Sequence, residues 1–195
     1  MFAEIGSFFS KWFARLRAFA MLAGAWGVLF SVITLAGFRI GFEYDDGIVF
    51  SANSFKAAGK SGFEAGSADY WNALNRAYRL ERVKPVPWLT AWAFRSLGFK
   101  VDFFSNRGAE GSDSLQNSWK ALADRFNFTP DENKKYELLE RGGYLFYFTP
   151  SDEGVIQARK AGVAPVRILK SKKSPNPCLY SPGKFKERSL PLSEF

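Results

Sequence analysis

The sequence predicts an α/β domain with a parallel β-sheet, preceded by an N-terminal transmembrane helix. Two observations lead to this fold class. The stretch 18–38 contains no charged residue over 21 positions, which is long enough to span the roughly 30 Å hydrocarbon core of a bilayer. From Arg39 onwards short apolar runs alternate with longer amphipathic ones. That order is typical of parallel strands joined by right-handed helical crossovers.

The N-terminal region divides into two parts. Aromatic and aliphatic residues of 1–17 recur at helical spacing beside Lys11, Arg15 and Arg17, which predicts an amphipathic helix at the lipid head groups. Residues 18–38 then form a signal-anchor helix; a buried core helix and a cleavable signal peptide are the alternatives. More basic residues precede the span than follow it, which predicts a cytoplasmic N-terminus and a periplasmic C-terminal domain at the inner membrane.

The composition excludes several kinds of site. The chain has no His and one Cys, so a disulfide within the chain, a Cys/His zinc site and a His-based catalytic triad are ruled out. The net charge is +8, but the 27 basic residues are scattered among 19 acidic ones, and we expect no nucleic-acid binding. Any catalysis must use carboxylates, Lys, Ser, Tyr or a metal held by oxygen ligands.

The domain is predicted to cover 39–170, with an insertion at about 52–84 that contains one helix capped by Ser67 or Asp69. Pro85 and Pro87 are typical of a helix start. The predicted strands are 39–44, 100–104, 144–148 and 166–169, and the predicted helices are 88–97, 112–126, a short one ending at Arg141, and 151–161. The Pro-rich, basic tail 171–195 is predicted to be irregular, in contact with anionic lipid, an acidic partner or only solvent.

Three acidic residues lie where the first strand ends. Glu43, Asp45 and Asp46 are followed at once by Gly47 and a second apolar run. In α/β proteins the carboxyl ends of parallel strands are where ligands bind. The alternative is a hairpin turn whose acids face water.

The order of motifs resembles the haloacid dehalogenase superfamily, with its Rossmann-like sheet, and is most similar to the class B acid phosphatases. Three segments supply the resemblance, which covers about 39–195. They are Phe42-Glu-Tyr-Asp-Asp-Gly-Ile-Val-Phe-Ser51, Phe103-Phe-Ser-Asn-Arg107, and Thr149-Pro-Ser-Asp-Glu-Gly154 with the helix, turn and strand after it.

This resemblance implies a role for each site residue. Glu43 stands at the nucleophile position and Asp45 at the acid/base position, with Lys135 as the basic residue before the third strand. Ser105, Asn106 and Arg107 match the phosphate-binding motif. Glu43, Asp45 and Asp152 match metal ligands, and the resemblance implies Mg²⁺ if the protein is active.

The same comparison of motifs reveals departures. The family has Asp where this chain has Glu43, Thr where it has Gly47, and Asp at the positions of Pro150 and Gly154. A displacement of about 1 Å at a nucleophile can lower a rate roughly 100-fold. We therefore expect an inactive phosphatase-like protein with no cofactor, and an active phosphomonoesterase with an altered Mg²⁺ site is the alternative.

An inactive protein of this kind is expected to be an accessory subunit of a membrane complex or a binding module, in contact with lipid. The aromatic segment 63–80 is the predicted contact for a protein partner or for homo-oligomerisation. Two site residues also have simpler explanations. Arg107 would pair with Glu110 or Asp113 at the surface, and Lys135 would face water beside Lys134.

Overall fold

The computed structural model describes residues 2–171, 174 and 178–195, except for the side chains of 2–11, 14 and 132. The helices are α1 (Phe2–Ala36), α2 (Ala52–Gly59), α3 (Ala68–Arg76), α4 (Pro85–Ser96), α5 (Asp113–Trp119), α6 (Glu132–Arg141) and α7 (Asp152–Lys160). The strands are β1 (Arg39–Glu43), β2 (Val49–Phe50), β3 (Arg82–Val83), β4 (Lys100–Ser105), β5 (Arg125–Phe128), β6 (Tyr144–Thr149), β7 (Ala164–Ile168) and β8 (Arg188–Leu190).

Six parallel strands form the central sheet in the order β5-β4-β1-β6-β7-β8. Arg39, the first residue of β1, pairs with Lys100 of β4 and Tyr144 of β6. The strands therefore begin together at one edge of the sheet, which we call the amino edge, and end together at the opposite, carboxyl edge. This confirms the predicted α/β class and its parallel sheet.

Side chains alternate between the two faces of the sheet, and an apolar cluster forms on each face. Ile40, Phe42 and Tyr44 belong to the cluster with Ala91 of α4 and Leu115 of α5. On the other face, Phe104 and Tyr147 pack with residues of α6 and α7 such as Leu139 and Ala158. The domain is thus a three-layer α/β/α arrangement, and Glu43 lies on the α6 side while Tyr44 lies on the α4–α5 side.

The insertion has more structure than the sequence predicted. It contains two α-helices, α2 and α3, and a 3₁₀ turn at Ala77–Leu80 before β3, which pairs antiparallel with β2. The predicted cap is present, because Ser67 Oγ accepts from the Tyr70 amide at 3.2 Å. The extra helix α2 follows directly after β2, in a polar segment where no helix was predicted.

Two other predictions were wrong. The expected helix 112–126 ends at Trp119, and Arg125–Phe128 is strand β5, paired with β4 through Phe103 and Phe126. Pairing with an existing strand and packing of two Phe side chains outweighed the helical spacing of the apolar residues. The tail is also not wholly irregular, since Arg188–Leu190 pairs parallel with β7.

Helix α1 is 35 residues long, and its segment Arg15–Ala36 is apolar enough to cross a bilayer, with only 6% of the most apolar window buried. That exposure argues against the alternative of a core helix. Two residues separate α1 from β1, and the Thr34 hydroxyl donates to the Gly98 carbonyl at 3.5 Å. The predicted amphipathic face of 1–17 falls largely on side chains outside those described.

Candidate active site

The end of β1 turns sharply at the carboxyl edge. The amides of Ile48 and Tyr44 bond to the carbonyl groups of Glu43 and Phe104 at 3.1 and 2.7 Å. Asp46 adopts a left-handed backbone conformation with φ of 56°, which is uncommon outside Gly, Asn and Asp. The turn directs the three acidic side chains into different surroundings.

Glu43 is buried among hydroxyl groups and one amine. The Thr149 hydroxyl donates to Glu43 Oε2, and Ser151 Oγ donates to the same oxygen at 3.3 Å. Lys135 Nζ lies 3.7 Å from Glu43 Oε1, and Lys135 has no exposed surface. The structure therefore brings Glu43 and Lys135 together, and the alternative of a solvated Lys135 is wrong.

Asp45 is bound on both carboxylate oxygens. Ser105 Oγ donates to Oδ2 at 2.7 Å. Arg107 Nε lies 3.1 Å from each oxygen, and Nη2 lies 2.5 Å from Oδ1. The alternative of a surface pairing of Arg107 with Glu110 or Asp113 is wrong, because its guanidinium is buried against Asp45. Asn106, between the two donors, is exposed.

Arg107 also joins the insertion to the sheet. Its Nη2 donates to Glu81 Oε1 at 2.6 Å, and its guanidinium lies 5.3 Å from the ring centres of both Tyr44 and Phe55. Burial alone would lower the pKa of Arg107, but the carboxylates of Asp45 and Glu81 hold that pKa above its ordinary value. One cation therefore bridges two buried carboxylates.

Asp46 contacts the tail and Lys84, the residue before α4. The Ser174 hydroxyl donates to its carboxylate, and Lys84 Nζ donates to its backbone carbonyl at 3.0 Å. Burial raises the pKa of Asp46. Burial also lowers the pKa of Lys84 to about 8, and this amine donates at 2.8 Å to the Leu169 carbonyl at the end of β7.

Asp152 lies in a separate ion pair. Arg167 Nη2 is 2.9 Å from Asp152 Oδ1, which also accepts from the Ser181 amide at 2.8 Å. Although burial opposes it, these hydrogen bonds and the Arg167 charge hold the pKa of Asp152 below its ordinary value. Asp152 thus fixes the tail to the start of α7, and the contacts of its carboxylate do not include Glu43 or Asp45.

These residues do not fit a Mg²⁺ site as they are arranged. Mg²⁺ takes about six oxygen ligands in near-octahedral geometry. Within the described part of the chain, no three Asp, Glu, Cys or His side chains come close enough to share a metal ion. The Asp45 carboxylate, moreover, is already occupied by the N–H and O–H donors of Arg107 and Ser105.

Two glycines in the site have no room for a side chain. A Cβ built on Gly47 would lie 1.8 Å from the Glu43 carbonyl oxygen. A Cβ on Gly154 would lie 2.2 Å from Thr149 Oγ1 and 2.9 Å from Ser151 Oγ. The Thr and Asp that the resembled family has at these positions therefore do not fit without movement of the β1 turn or of Thr149.

Several residues of the site were missed from the sequence. Glu81, Thr149 and Ser151 contact the predicted residues directly, and Lys84 supports the turn. Thr149 and Ser151 flank Pro150 at the end of a predicted strand, so their place at the carboxyl edge was a usable signal. No comparable pattern marks Glu81, which reaches Arg107 only through the fold of the insertion.

Comparisons with known proteins agree with the fold. No family model matches the chain. The class B acid phosphatase of Salmonella typhimurium is 24% identical over 176 residues, which cover 80% of this chain and 73% of that protein. The class B acid phosphatase of Citrobacter rodentium matches to the same extent. Among solved structures, a dehalogenase superposes with a TM-score of 0.51 at 16% identity, covering 80% of this chain and 94% of that one.

The strand order, the acidic turn after β1 and these relatives agree with one another. Because the sequence identity to the solved structure is low, this structural similarity supports the fold alone. Taken with the sequence relatives, it confirms the predicted resemblance: the chain is similar to class B acid phosphatases and has the fold of the haloacid dehalogenase superfamily.

Proposed function

We propose that this protein is a membrane-anchored, phosphatase-like subunit that does not hydrolyse phosphomonoesters and instead acts as a binding or accessory module of a membrane complex. The main support is the state of Asp45, the residue at the acid/base position. Both of its carboxylate oxygens accept hydrogen bonds from Arg107, and one also accepts from Ser105. A leaving oxygen would have to compete with a buried guanidinium for that carboxylate.

The surroundings of Glu43 support the same proposal. A nucleophile must approach phosphorus in line, and catalysis of phosphoryl transfer relies on positioning and on neutralising charge. Thr149 and Ser151 donate to the oxygen Oε2, while Lys135 lies beside Oε1. Glu also has one methylene more than the Asp of the resembled family. We therefore infer that Glu43 does not act as a nucleophile.

The test is hydrolysis of p-nitrophenyl phosphate by the full chain in detergent, with added Mg²⁺ and across acidic to neutral pH. We expect no turnover above the buffer background, while a class B acid phosphatase assayed in parallel is active. The matched control is Asp45→Asn, which should give the same background as the unaltered chain. Mg²⁺-dependent hydrolysis that disappears in Asp45→Asn would contradict the proposal.

A working phosphomonoesterase with an altered Mg²⁺ site is the second candidate, because the sequence relatives are class B acid phosphatases. The ion pair of Glu43 with Lys135 favours it, since the fold retains a carboxylate and an amine side by side at the carboxyl edge. This candidate requires Arg107 to leave Asp45. It therefore predicts that Arg107→Lys, which donates fewer hydrogen bonds, retains or increases turnover.

The accessory role is supported by an aromatic cavity between the insertion, α4 and the segment after α5. Its volume is about 380 Å³, and its lining includes Tyr78, Trp88, Trp92 and Trp119 together with Glu81. Aromatic residues of this kind are frequent in protein–protein interfaces. We propose a protein partner, with homo-oligomerisation as the alternative, and a domain on the periplasmic side of the membrane that α1 crosses.

Native gel electrophoresis of gently solubilised membranes tests the partner. We expect the chain to migrate in a complex larger than its monomer and to return to monomer size in Trp88→Ser/Trp92→Ser. The control is Leu179→Ser, an exposed apolar residue outside this cavity. Migration of the unaltered chain as a monomer would contradict the accessory role, and a complex of this chain alone would indicate a homo-oligomer.

A further inference from the structure

The amino edge of the sheet is the part of the domain nearest to α1. Only two residues separate Ala36 from Arg39, and the Lys100 amide bonds to the Phe38 carbonyl at 3.0 Å. The α4–β4 turn packs on the helix itself, because a Cβ built on Gly98 would lie 2.9 Å from the Phe30 carbonyl and 2.6 Å from Thr34 Oγ1. Both contacts fall within the apolar span Arg15–Ala36.

Basic residues collect along this same edge. Lys100 and Arg125 are the first residues of β4 and β5, and Arg141 and Lys160 are the last residues of α6 and α7. All four side chains are exposed. Parallel strands connected by helices bring these positions to one edge, because each helix returns the chain to where the next strand begins. Lys120, directly after α5, is exposed in the same region.

Few acidic groups oppose these cations, and those nearby have other partners. Asp124 accepts from Arg95, and Glu140 accepts from the Tyr136 hydroxyl. Asp102, in register with Arg125, is buried and paired with Arg39. The acids of the site lie at the opposite, carboxyl edge. Exposed apolar side chains complete the surface, with Phe38 and Leu145 each more than a third exposed.

Stabilisation of helix ends explains only part of this pattern. A cation near a helix C-terminus interacts favourably with the helix dipole, which accounts for Arg141 and Lys160 locally. Lys100 and Arg125 begin strands, where no such dipole acts. An arrangement of cations and apolar groups at the end of a membrane-spanning helix matches the interfacial region of a bilayer.

We propose that the amino edge is a binding surface for anionic lipid head groups of the membrane that α1 crosses. The inference rests on α1 spanning the bilayer and is independent of whether the site hydrolyses phosphoesters. Each Lys or Arg near an anionic surface raises the binding constant for the membrane roughly fivefold. The surface would hold the domain against the bilayer with the carboxyl edge facing away from it.

The test uses the full chain, with Cys178→Ser, in vesicles of phosphatidylcholine alone or mixed with phosphatidylglycerol. A fluorophore is attached through Leu145→Cys at the amino edge or, in a second protein, through Asp113→Cys at the start of α5. Quenching by a nitroxide on the lipid head group then reports which edge approaches the bilayer. We expect phosphatidylglycerol to increase quenching of the label at 145 and not at 113. High salt should reverse the increase.

Two charge variants with equal loss of charge make the test specific. The first variant should lower quenching at 145 to the level in phosphatidylcholine; it carries Lys100→Gln, Arg125→Gln, Arg141→Gln and Lys160→Gln. The second variant removes four exposed cations elsewhere and should leave quenching unchanged; it carries Lys60→Gln, Arg76→Gln, Arg82→Gln and Lys134→Gln. Circular dichroism verifies that both variants are folded.

Three results would overturn the proposal. One is equal quenching at 145 in the two kinds of vesicle. Another is an equal loss of quenching in both charge variants, which would indicate only a general effect of net charge. The last is release of the chain from vesicles by alkaline carbonate, which would show that α1 is not an anchor. Phosphatase assays on the same samples report separately on the proposed function.

Discussion

Arg107→Met is expected to lower the free energy of unfolding by about 3–5 kcal/mol, since breaking a buried ion pair on one side leaves uncompensated charge. Here the removal of one guanidinium leaves two buried carboxylates, Asp45 and Glu81, without their cation. The stacking of Arg107 between Tyr44 and Phe55 is lost as well. For a chain of this size the melting temperature should fall by about 10 °C.

Thermal unfolding of the full chain in detergent, followed by circular dichroism, measures this effect. Arg76→Met is the control, because Arg76 is an exposed arginine of the same insertion, and it should shift the melting temperature by little. Adding Asp45→Asn and Glu81→Gln to Arg107→Met should restore part of the loss. If the triple variant is no more stable than Arg107→Met, unpaired charge is not the cause.

Lys84 gives the second large effect, which depends on pH. Burial lowers its pKa to about 8 in the folded chain, whereas the ordinary value is about 10.4. Between these two values the unfolded chain binds more protons than the folded chain, so stability rises with pH in this window. The full increase attributable to Lys84 is about 3 kcal/mol.

Urea unfolding at several pH values from 7 to about 10 checks this sign. Lys84→Met removes the titrating amine, and the variant should lack the increase that the unaltered chain gains above pH 8. The comparison is needed because Cys178 and Tyr44, whose pKa values are raised by burial, lower stability at the alkaline end. Parallel pH profiles for the two proteins would contradict the prediction.

Much of the fold follows from local sequence signals. Pro85, Pro87 and Ser67 mark helix starts, and the apolar runs at β1, β4 and β6 are bounded by Gly or polar residues. Strand β5 was not predictable in this way. Its four residues form a strand because β4 offers an unpaired edge beside them, and that edge exists only after the sheet has formed.

The candidate site was predictable to a similar degree. Glu43, Asp45 and Ser105 were expected in one site from the resemblance of their motifs, and the carboxyl ends of neighbouring parallel strands bring them together. The sequence could not reveal that Arg107 would turn inward toward Asp45. That orientation depends on Glu81 and Phe55, which the insertion brings over the sheet. Asp152 was assigned to the metal-ligand set from its motif, whereas β7 and the tail give it Arg167 and Ser181 as partners.

The lack of space at Gly47 and Gly154 determines how this site can change over evolutionary time. A Thr at 47 or an Asp at 154 collides with the Glu43 carbonyl or with Thr149. A return to the Thr and Asp of the resembled family at these two positions therefore requires the β1 turn or Thr149 to move as well. Neither reversion is a simple exchange of one side chain, so the order in which substitutions are introduced at this site matters.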